Sequence, residues 1–176
     1  MKKVLLSLFV AFLATATVSA QDKPKEDKSK RPSPPAIAKG TTKSGTAITI
    51  DYSQPSVKGR TVGKEIAPFD GKVWRTGANE ATIFEVSKDV TIDGKALPAG
   101  KYSLHSVPGA TEWVWIFNKT ANQWGSYEYK EADDALRVTV KTGKAKAFAE
   151  KMTFTIDKAG KVWLAWGDIS AAFTVK

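Results

Sequence analysis

The segment from Trp74 to Glu80 holds the densest group of chemically active side chains in the chain. Its residues supply an indole, a guanidinium, a hydroxyl, an amide and a carboxylate around a glycine. Arg75 belongs to the residue type that binds a carboxylate, phosphate or sulfate through two parallel hydrogen bonds. Thr76 and Asn79 can complete a polar lining, and Glu80 can act as a base or accept a hydrogen bond. The segment therefore predicts a site for a small polar or anionic ligand.

Two other interpretations of these residues stay open. In the first they are structural: Arg75 and Glu80 pair with other charges, and Trp74 closes one end of the core. In the second the protein is a hydrolase or isomerase that uses Glu80, Asp70 or another carboxylate of the same region. Two carboxyl groups about 5–10 Å apart would favour a glycosidase-like reaction. We expect a binding protein rather than an enzyme.

The same residues end a long irregular stretch, residues 55–80, which follows neither a strand nor a helix pattern. A connection of about 25 residues inside a compact domain is longer than most loops, and such loops are often functional or mobile. Arg60 lies in the first half of this stretch and is a further candidate for binding an anion. We expect the ligand site in this loop region.

Trp124 and Tyr127 form a second group of candidates. They follow a predicted strand at 112–118, and the spacing of Tyr127 and Tyr129 predicts that both lie on one strand face. Exposed aromatic rings can stack on sugars, which makes a glycan a candidate partner. The alternative is packing in the core or at its edges, because each large aromatic side chain buries a large apolar area.

His105 is the single histidine of the chain. The alternation of its strand places it on the face opposite Tyr102 and Leu104. A catalytic triad would need a hydroxyl and a carboxylate from elsewhere, and the chain has no nucleophile elbow of the Gly-x-Ser-x-Gly type. We expect a surface or hydrogen-bonded histidine without a catalytic role.

The composition also limits metal and thiol chemistry. The absence of cysteine excludes disulfides, thiolate zinc sites and a cysteine nucleophile, and a single histidine excludes sites that need two. Glu131, Asp133 and Asp134 form an acidic group that lacks the spacing and the glycine of a calcium loop. A solvated turn explains this group better. We expect no metal and no cofactor.

The elements that must position these residues are strands. Apolar and polar residues alternate from residue 46 to the end of the chain, as in strands with one buried face. The predicted strand at 112–118 is apolar at almost every position, which predicts burial on both faces. Asp93-Gly94 is a two-residue hairpin signal. Residues 144–151 fit the only short helix, and they fit an irregular strand equally well.

About eight or nine short strands, spaced by about 8–12 residues, predict an all-β fold. We expect a single antiparallel β-sandwich of the jelly-roll or Greek-key kind, or a partly closed barrel. A positive start, an apolar run and small residues up to Ala20 have the pattern of an export signal, residues 1–20. Residues 21–39, rich in proline and lysine, predict a disordered tether, and residues 40–176 a single β domain.

The net charge of +9 is concentrated in the predicted signal and tether, while charges of both signs are mixed along the β domain. A nucleic-acid-binding domain would be expected to show a basic patch set with aromatic residues, and none is apparent. We therefore expect no nucleic-acid partner. The apolar run of the signal is shorter than the ~20 residues that span a membrane, so we expect no transmembrane segment. The expected location is periplasmic or secreted, and the oligomeric state stays open.

The ten residues from Val73 to Thr82, VWRTGANEAT, resemble the central motif of an exported bacterial family, domain-of-unknown-function family 2911. Other parts of the chain are similar to further motifs of that family in the same order: Tyr52-Ser53-Gln54-Pro55, Lys58-Gly59-Arg60, Leu97-Pro98-Ala99-Gly100-Lys101-Tyr102-Ser103-Leu104, Asn118-Lys119 and Trp124-Gly125. The resemblance covers about residues 33–176. It implies an exported β-rich domain, mostly from Gram-negative bacteria, with no established activity.

The resemblance also bears on single residues. Positions shared with the family pattern are Arg60, Trp74, Arg75, Asn79 and Glu80. The position of His105 is more usually apolar in that family, which argues against catalysis by this histidine. The sequence thus predicts a binding module for a small polar or anionic ligand or an envelope partner. A carboxylate-based hydrolase and a purely structural envelope module are the alternatives.

Overall fold

The structure is a computed structural model that describes residues 26–176. It contains ten β-strands and two short 3₁₀ turns, Lys28–Lys30 and Glu131–Asp133, and no α-helix within the described residues. The strands are β1 (Pro35–Thr41), β2 (Ala47–Ser53), β3 (Thr82–Val86), β4 (Val90–Ile92), β5 (Lys95–Leu97), β6 (Gly100–Val107), β7 (Glu112–Asn118), β8 (Asp134–Lys141), β9 (Gly143–Ile156) and β10 (Lys161–Thr174). The predicted all-β class is confirmed.

Six strands form the larger of the two layers, in the order β1-β2-β3-β6-β7-β8. Every neighbouring pair is antiparallel. Because neighbours in this sheet also follow each other along the chain, apart from the inserted β4–β5 hairpin, the connectivity is a meander. The described residues make no Greek-key crossing in this sheet, which differs from the expected jelly-roll or Greek-key pattern.

The second layer is built around the long antiparallel hairpin of β9 and β10. The short hairpin β4–β5 joins it through a bridge between Ile92 and Val175. Asp93 and Gly94 connect β4 to β5 with φ angles of 45° and 86°, as in a type I′ turn, so the predicted hairpin is confirmed. The two layers form a sandwich and do not close on themselves.

The core lies between the layers and consists largely of aromatic rings. Trp113, Trp115 and Phe117 of β7 point into it and are fully buried. Phe173 of β10 meets the rings of Phe84, Trp115 and Phe117 at centroid distances of 5.7, 5.2 and 5.4 Å, each edge to face. Such pairs add about 0.5–1.5 kcal/mol each beyond the burial of apolar area. The core therefore needs no disulfide, in agreement with the absence of cysteine.

Of the two alternatives for residues 144–151, the irregular strand is confirmed: they are part of β9 and pair with β10, with register irregularities around Gly167. One local expectation differs from the structure. Residues 35–39, expected to belong to a disordered tether, begin β1 and pair with β2, and residues 28–30 form a 3₁₀ turn. The ladder with β2 satisfies the backbone of β1, and the inward side chains of Ala36 and Ala38 pack against the core, although they are small. The export signal expected at residues 1–20 lies outside the described residues.

Within residues 26–176 no helix has the length and apolar character needed to cross a membrane.

The dependence of the fold on the aromatic core can be tested by truncation. Phe173→Ala is expected to lower the free energy of unfolding by about 3–5 kcal/mol, because it removes a buried ring and leaves a cavity. Phe148→Ala is the matched control, since the ring of Phe148 is 57% exposed, and we expect a loss of about 0.5 kcal/mol or less. Urea denaturation followed by tryptophan fluorescence measures both. Equal losses in the two variants would contradict this account of the core.

Candidate functional site

Trp74 pairs with the middle of the larger sheet, although it lies in the long connection between β2 and β3. Its N–H donates to the carbonyl of Ser106 over 2.7 Å, and the N–H of Ser106 donates back to the Trp74 carbonyl over 2.9 Å. The Trp74 indole turns into the core, stacked on Trp166 at 5.8 Å and edge to face with Trp113 at 6.2 Å. Trp74 is therefore a core residue, as the structural interpretation expected.

The pairing of Trp74 with Ser106 determines the position of the next residue along each segment. In an antiparallel pair the following residue of one segment lies opposite the preceding residue of the other, so Arg75 comes beside His105. Side chains alternate between the two faces of a sheet, and these two therefore lie on the face away from the core. We call this the Arg75–His105 pair. Directly opposite residues have Cβ atoms about 4.5–5.5 Å apart, close enough to bind one ligand group.

A turn formed by residues 124–129, here named the cover turn, closes over this pair. It is attached to the end of the Arg75 segment by a bridge between Glu80 and Trp124 and by a hydrogen bond from the N–H of Gly125 to the carbonyl of Asn79 at 3.1 Å. A Cβ atom on Gly125 would lie 3.9 Å from Nη1 of Arg75. The Arg75–His105 pair therefore lies under the cover turn.

The aromatic residues of the cover turn have different environments. The ring of Tyr129 lies 5.1 Å from the imidazole of His105, whereas Tyr127 is 84% exposed and Trp124 is 56% exposed. Tyr127 and Tyr129 belong to the turn region and not to a strand, so the expected common strand face is wrong. Stacking of a glycan on Trp124 and Tyr127 stays a prediction.

Arg75 differs from the other arginines in its electrostatic environment. Arg31 and Arg137 form ion pairs with carboxylates, and Arg60 donates to the carbonyls of its own loop. The Arg75 guanidinium makes no hydrogen bond or ion pair with any residue in the range 26–176, and its Nε is fully buried. Burial lowers the pKa of the Arg75 guanidinium below its ordinary value. Removing a charged group from water without a partner costs several kcal/mol unless water or a ligand compensates.

His105 is fully buried, which contradicts the expected surface position. Neither ring nitrogen makes a hydrogen bond of good geometry among the described residues, although the backbone of Gly125 and of Ser103 lies close enough to act on the ring. Burial lowers the pKa of His105, while the backbone of Gly125 and the carboxylate of Asp134 act in the opposite direction. The net shift is downward, so the imidazole is neutral near pH 7. A buried polar group without a partner costs about 1–3 kcal/mol.

Not every unpartnered buried group in the protein indicates a ligand. The indole N–H groups of Trp113, Trp115 and Trp166 also have no partner. Those indoles are neutral and bury large apolar rings, which offsets the cost of one unpaired donor. Arg75 carries a full charge, and His105 has two unpaired nitrogens on a small ring. These two residues therefore need a different explanation.

A polar network beside His105 keeps Tyr129 in place. The Tyr129 hydroxyl donates to Asp134 over 2.7 Å and accepts from Arg137 over 2.6 Å, while Arg137 also donates to Asp134 over 2.7 Å. Burial together with the bond to Asp134 raises the pKa of Tyr129 to about 12. The acidic group expected as a solvated turn thus contributes Asp134 to a structural network. No group of three or more His, Asp or Glu residues in the described part of the chain is placed to hold a metal ion.

Thr76 and Asn79 are bracing residues that shape the backbone after Arg75. Both have positive φ angles, 52° and 59°, which are unusual for residues other than glycine. The buried Thr76 hydroxyl donates to Ser106 Oγ over 2.9 Å, and Asn79 Nδ2 donates to Ser53 Oγ over 3.2 Å. The Thr82 hydroxyl donates to the Thr76 carbonyl over 2.7 Å. These bonds hold a strained backbone, which is frequent around functional sites.

Glu80 points away from Arg75, toward the N-terminal segment. Its two carboxylate oxygens accept from Lys28 over 2.7 Å and from Arg31 over 2.8 Å, and Arg31 also lies 5.8 Å from the ring centre of Trp124. Although burial raises the pKa of Glu80, the bonds from Lys28 and Arg31 contribute to a net lowering. These residues line a cleft of about 400 Å³ beside the cover turn.

The structure thus does not bring the six expected binding residues together. Of these six residues, Arg75 alone lies under the cover turn. Trp74 lies in the core, Thr76 and Asn79 brace the backbone, and Glu80 pairs with the N-terminal segment, while the Arg60 side chain bonds its own loop.

Sequence reasoning missed the residues that complete the surroundings of Arg75. They are His105 as a buried group, Gly125, Tyr129, Asp134 and Arg137. One signal was present: the connection between β7 and β8 is much longer than a tight hairpin and is available to fold back over the outer face of the sheet. The alternation of β6 also placed His105 on that face.

Comparison with known proteins gives one match. The family model described as "Protein of unknown function (DUF2911)" matches residues 33–175. No curated protein and no solved structure matches the chain. The match agrees with the resemblance seen in the VWRTGANEAT motif.

The unpaired charge of Arg75 leads to a prediction for stability in the absence of ligand. Arg75→Met keeps the length of the side chain and removes a desolvated cation, so we expect the free energy of unfolding to stay unchanged or to rise by about 1 kcal/mol. Arg60→Met, which removes two hydrogen bonds to carbonyls, is the control and is expected to lower it by about 1 kcal/mol. Urea denaturation in an anion-poor buffer measures both. A loss of about 2 kcal/mol or more in Arg75→Met would show that Arg75 is a structural brace.

The burial of His105 predicts a pH dependence of stability. Because its pKa is lower in the folded than in the unfolded chain, the unfolded chain takes up a proton first as the pH falls below about 6.5. The stability is therefore fully present above that pH and is lost, at up to about 1.4 kcal/mol per pH unit, until the folded pKa is reached. His105→Leu removes this contribution. Identical pH profiles of wild type and variant in urea denaturation would contradict the prediction.

Proposed function

We propose that this chain, which belongs to the DUF2911 family of proteins of unknown function, is an exported, non-enzymatic module that binds a small anion at Arg75. The unpaired guanidinium of Arg75 under the cover turn is the observation that carries the proposal. Its charge is partly removed from water, yet no carboxylate of residues 26–176 pairs with it. An anionic ligand would supply the missing partner.

The geometry of a guanidinium indicates the chemistry of the ligand group. Arginine presents a planar fork of N–H donors that matches a carboxylate, phosphate or sulfate through two parallel bonds. The parallel donor pairs of a guanidinium are Nε with Nη2 and Nη1 with Nη2. In Arg75 Nε is buried and Nη1 lies near Gly125, so a bidentate anion would use Nη2 together with one of them. The rest of a larger ligand can leave the site beside the exposed ring of Tyr127. A small anion, or the anionic end of a larger molecule, fits this arrangement.

The surroundings of Arg75 are built to keep it in position. Thr76 and Thr82 fix the backbone on one side, and the pairing of Trp74 with Ser106 fixes it on the other. A side chain that is held in place before binding loses less conformational entropy when the ligand arrives. The strained φ angle of Thr76 is explained if this geometry serves binding.

The enzymatic alternative has weaker support. A carboxyl group that works as a general acid needs a raised pKa, as in glycosidases. Burial raises the pKa of Glu80, but hydrogen bonds from Lys28 and Arg31 contribute to a net lowering. The pKa of Asp70 is lowered by hydrogen bonds from Lys72. Both carboxylates are therefore neutralised by cations, and neither has the environment of a proton donor.

Location outside the cytoplasm is part of the same proposal. It rests on the export-signal pattern of residues 1–20. A soluble anion, or the charged head of an envelope component, would be available to the protein in that compartment.

Sulfate is the probe for the proposed function. Its binding to the folded state is expected to raise the unfolding temperature of wild type, by an amount equivalent to about 2.7 kcal/mol at 100 times the Kd. Sulfate also stabilises proteins without binding, by exclusion from their surface. We therefore compare wild type with Arg75→Met and, as a charge-matched control, Arg60→Met, each against chloride at equal ionic strength.

We expect the unfolding temperature of wild type and of Arg60→Met to rise with sulfate concentration until the site is saturated. In Arg75→Met we expect only the smaller rise that exclusion of sulfate from the protein surface causes. Arg75→Lys, which keeps the charge but loses the planar fork, is expected to bind at least tenfold more weakly. The same sulfate-dependent shift in wild type and in Arg75→Met would overturn the proposal.

A further inference from the structure

His105 and Arg75 are the two residues under the cover turn whose buried nitrogens have no partner. Nδ1 and Nε2 of His105 are both unpaired among the described residues, as is Nε of Arg75. The pairing of Trp74 with Ser106 brings the two side chains to neighbouring positions of the same sheet face. Two unpaired groups of this kind at one place indicate a common partner.

We propose that His105 binds the same anion as Arg75 and takes up a proton from solvent when the anion carries two negative charges. The inference rests on the proposed function, because the ligand site is the one at Arg75. It adds the ligand class, a doubly charged oxyanion, and the control of its binding by pH.

Burial explains why the empty site keeps the imidazole of His105 neutral, because a fully buried ring loses the solvation of its charged form. The backbone of Gly125 and of Ser103 and the carboxylate of Asp134 oppose this effect without overcoming it. The charge of Asp134 is partly offset by Arg137, which donates to it over 2.7 Å, and the cation of Arg75 comes from the neighbouring segment. From the cover turn comes the ring of Tyr129, 5.1 Å from the imidazole.

A bound anion changes this balance according to its charge. A singly charged anion balances Arg75 and leaves nothing to stabilise a protonated His105. A doubly charged anion leaves one negative charge beside His105, which favours the imidazolium and converts its acceptor nitrogen into a second donor. In the bound state Arg75 and His105 together carry two positive charges against the two negative charges of the ligand.

The neighbouring Asp134 is not an alternative partner for the protonated ring. Its carboxylate already accepts from Tyr129, Arg137 and Asn118. Within residues 26–176, no hydrogen bond joins Asp134 to His105. Asp134 favours the imidazolium through its charge alone, so a hydrogen-bonded counter-charge must come from the ligand.

Isothermal titration calorimetry with sulfate tests the inference. Sulfate keeps two negative charges while histidine titrates between about pH 5 and pH 8, so any pH dependence belongs to the protein. Titrations in two buffers of different ionisation enthalpy give the number of protons taken up. We expect wild type to take up as much as one proton per sulfate near pH 7, with affinity rising by up to about tenfold per unit fall in pH. Nitrate, which has one negative charge, is expected to bind without proton uptake.

His105→Gln and His105→Asn are the deciding variants, because each keeps a hydrogen-bonding side chain that does not titrate. Both are expected to bind sulfate through Arg75, more weakly, with no proton uptake and no pH dependence. Near-UV circular dichroism establishes that each variant is folded, and a folded result for one of them is sufficient for the test.

The outcomes separate this inference from the proposed function. Proton uptake that is the same in wild type and in a folded His105 variant overturns the role of His105, while binding that still needs Arg75 leaves the proposed function intact. Sulfate binding that Arg75→Met leaves unchanged overturns the proposed function and this inference together. Absence of sulfate binding in wild type overturns both as well.

Discussion

The backbone pairing of Trp74 with Ser106 is the constraint on which the site depends. It attaches one point of a long connection to the centre of the larger sheet, and the alternation of a strand then separates neighbouring side chains. The indole of Trp74 enters the core, where it stacks on Trp166, and the guanidinium of Arg75 emerges on the opposite face. Burial of the indole thus holds a charged group beside His105 at the edge of the core.

The groups around Arg75 destabilise the fold, and packing of the aromatic core offsets this loss of stability. Arg75 and His105 lack partners, and Thr76 and Asn79 have strained backbones. Within the core, by contrast, Phe173 and its neighbours fill the space between the layers with edge-to-face contacts. Unpartnered charged or titratable groups beside a strained backbone are a combination expected where a place serves function.

The sequence predicts the class of the fold well and the site only in part. Strands follow from alternation, and the Asp93-Gly94 turn follows from its residue types, because both are local. The strand β1 was missed because its formation depends on the backbone of β2 rather than on its own side chains. Burial of His105 was missed for a related reason. It requires the cover turn to fold over β6 from a distant part of the chain, which no pattern within β6 indicates.

The choice of Arg75 as a binding residue came from its type, and its expected companions, taken from the adjoining sequence, do not lie beside it in the structure. In a strand-like segment, consecutive residues point in opposite directions, so neighbours in sequence are separated in space. The companions of Arg75 come instead from β6 and from the cover turn. A polar motif within a β protein is therefore better tested by asking which residues its backbone pairs with than by grouping its own members.

The position of Glu80 connects the site to the N-terminal segment. Its backbone forms the bridge to Trp124 in the cover turn, while its carboxylate binds Lys28 and Arg31. Movement of the cover turn away from Arg75 must disturb this bridge or carry Glu80 along with it. The ion pairs of Glu80 are partly exposed and individually weak, with about 0–1 kcal/mol each as the usual range. The contacts of Glu80 thus attach the cover turn to the N-terminal segment through one backbone bridge and weak ion pairs, on the side where Nε of Arg75 is buried.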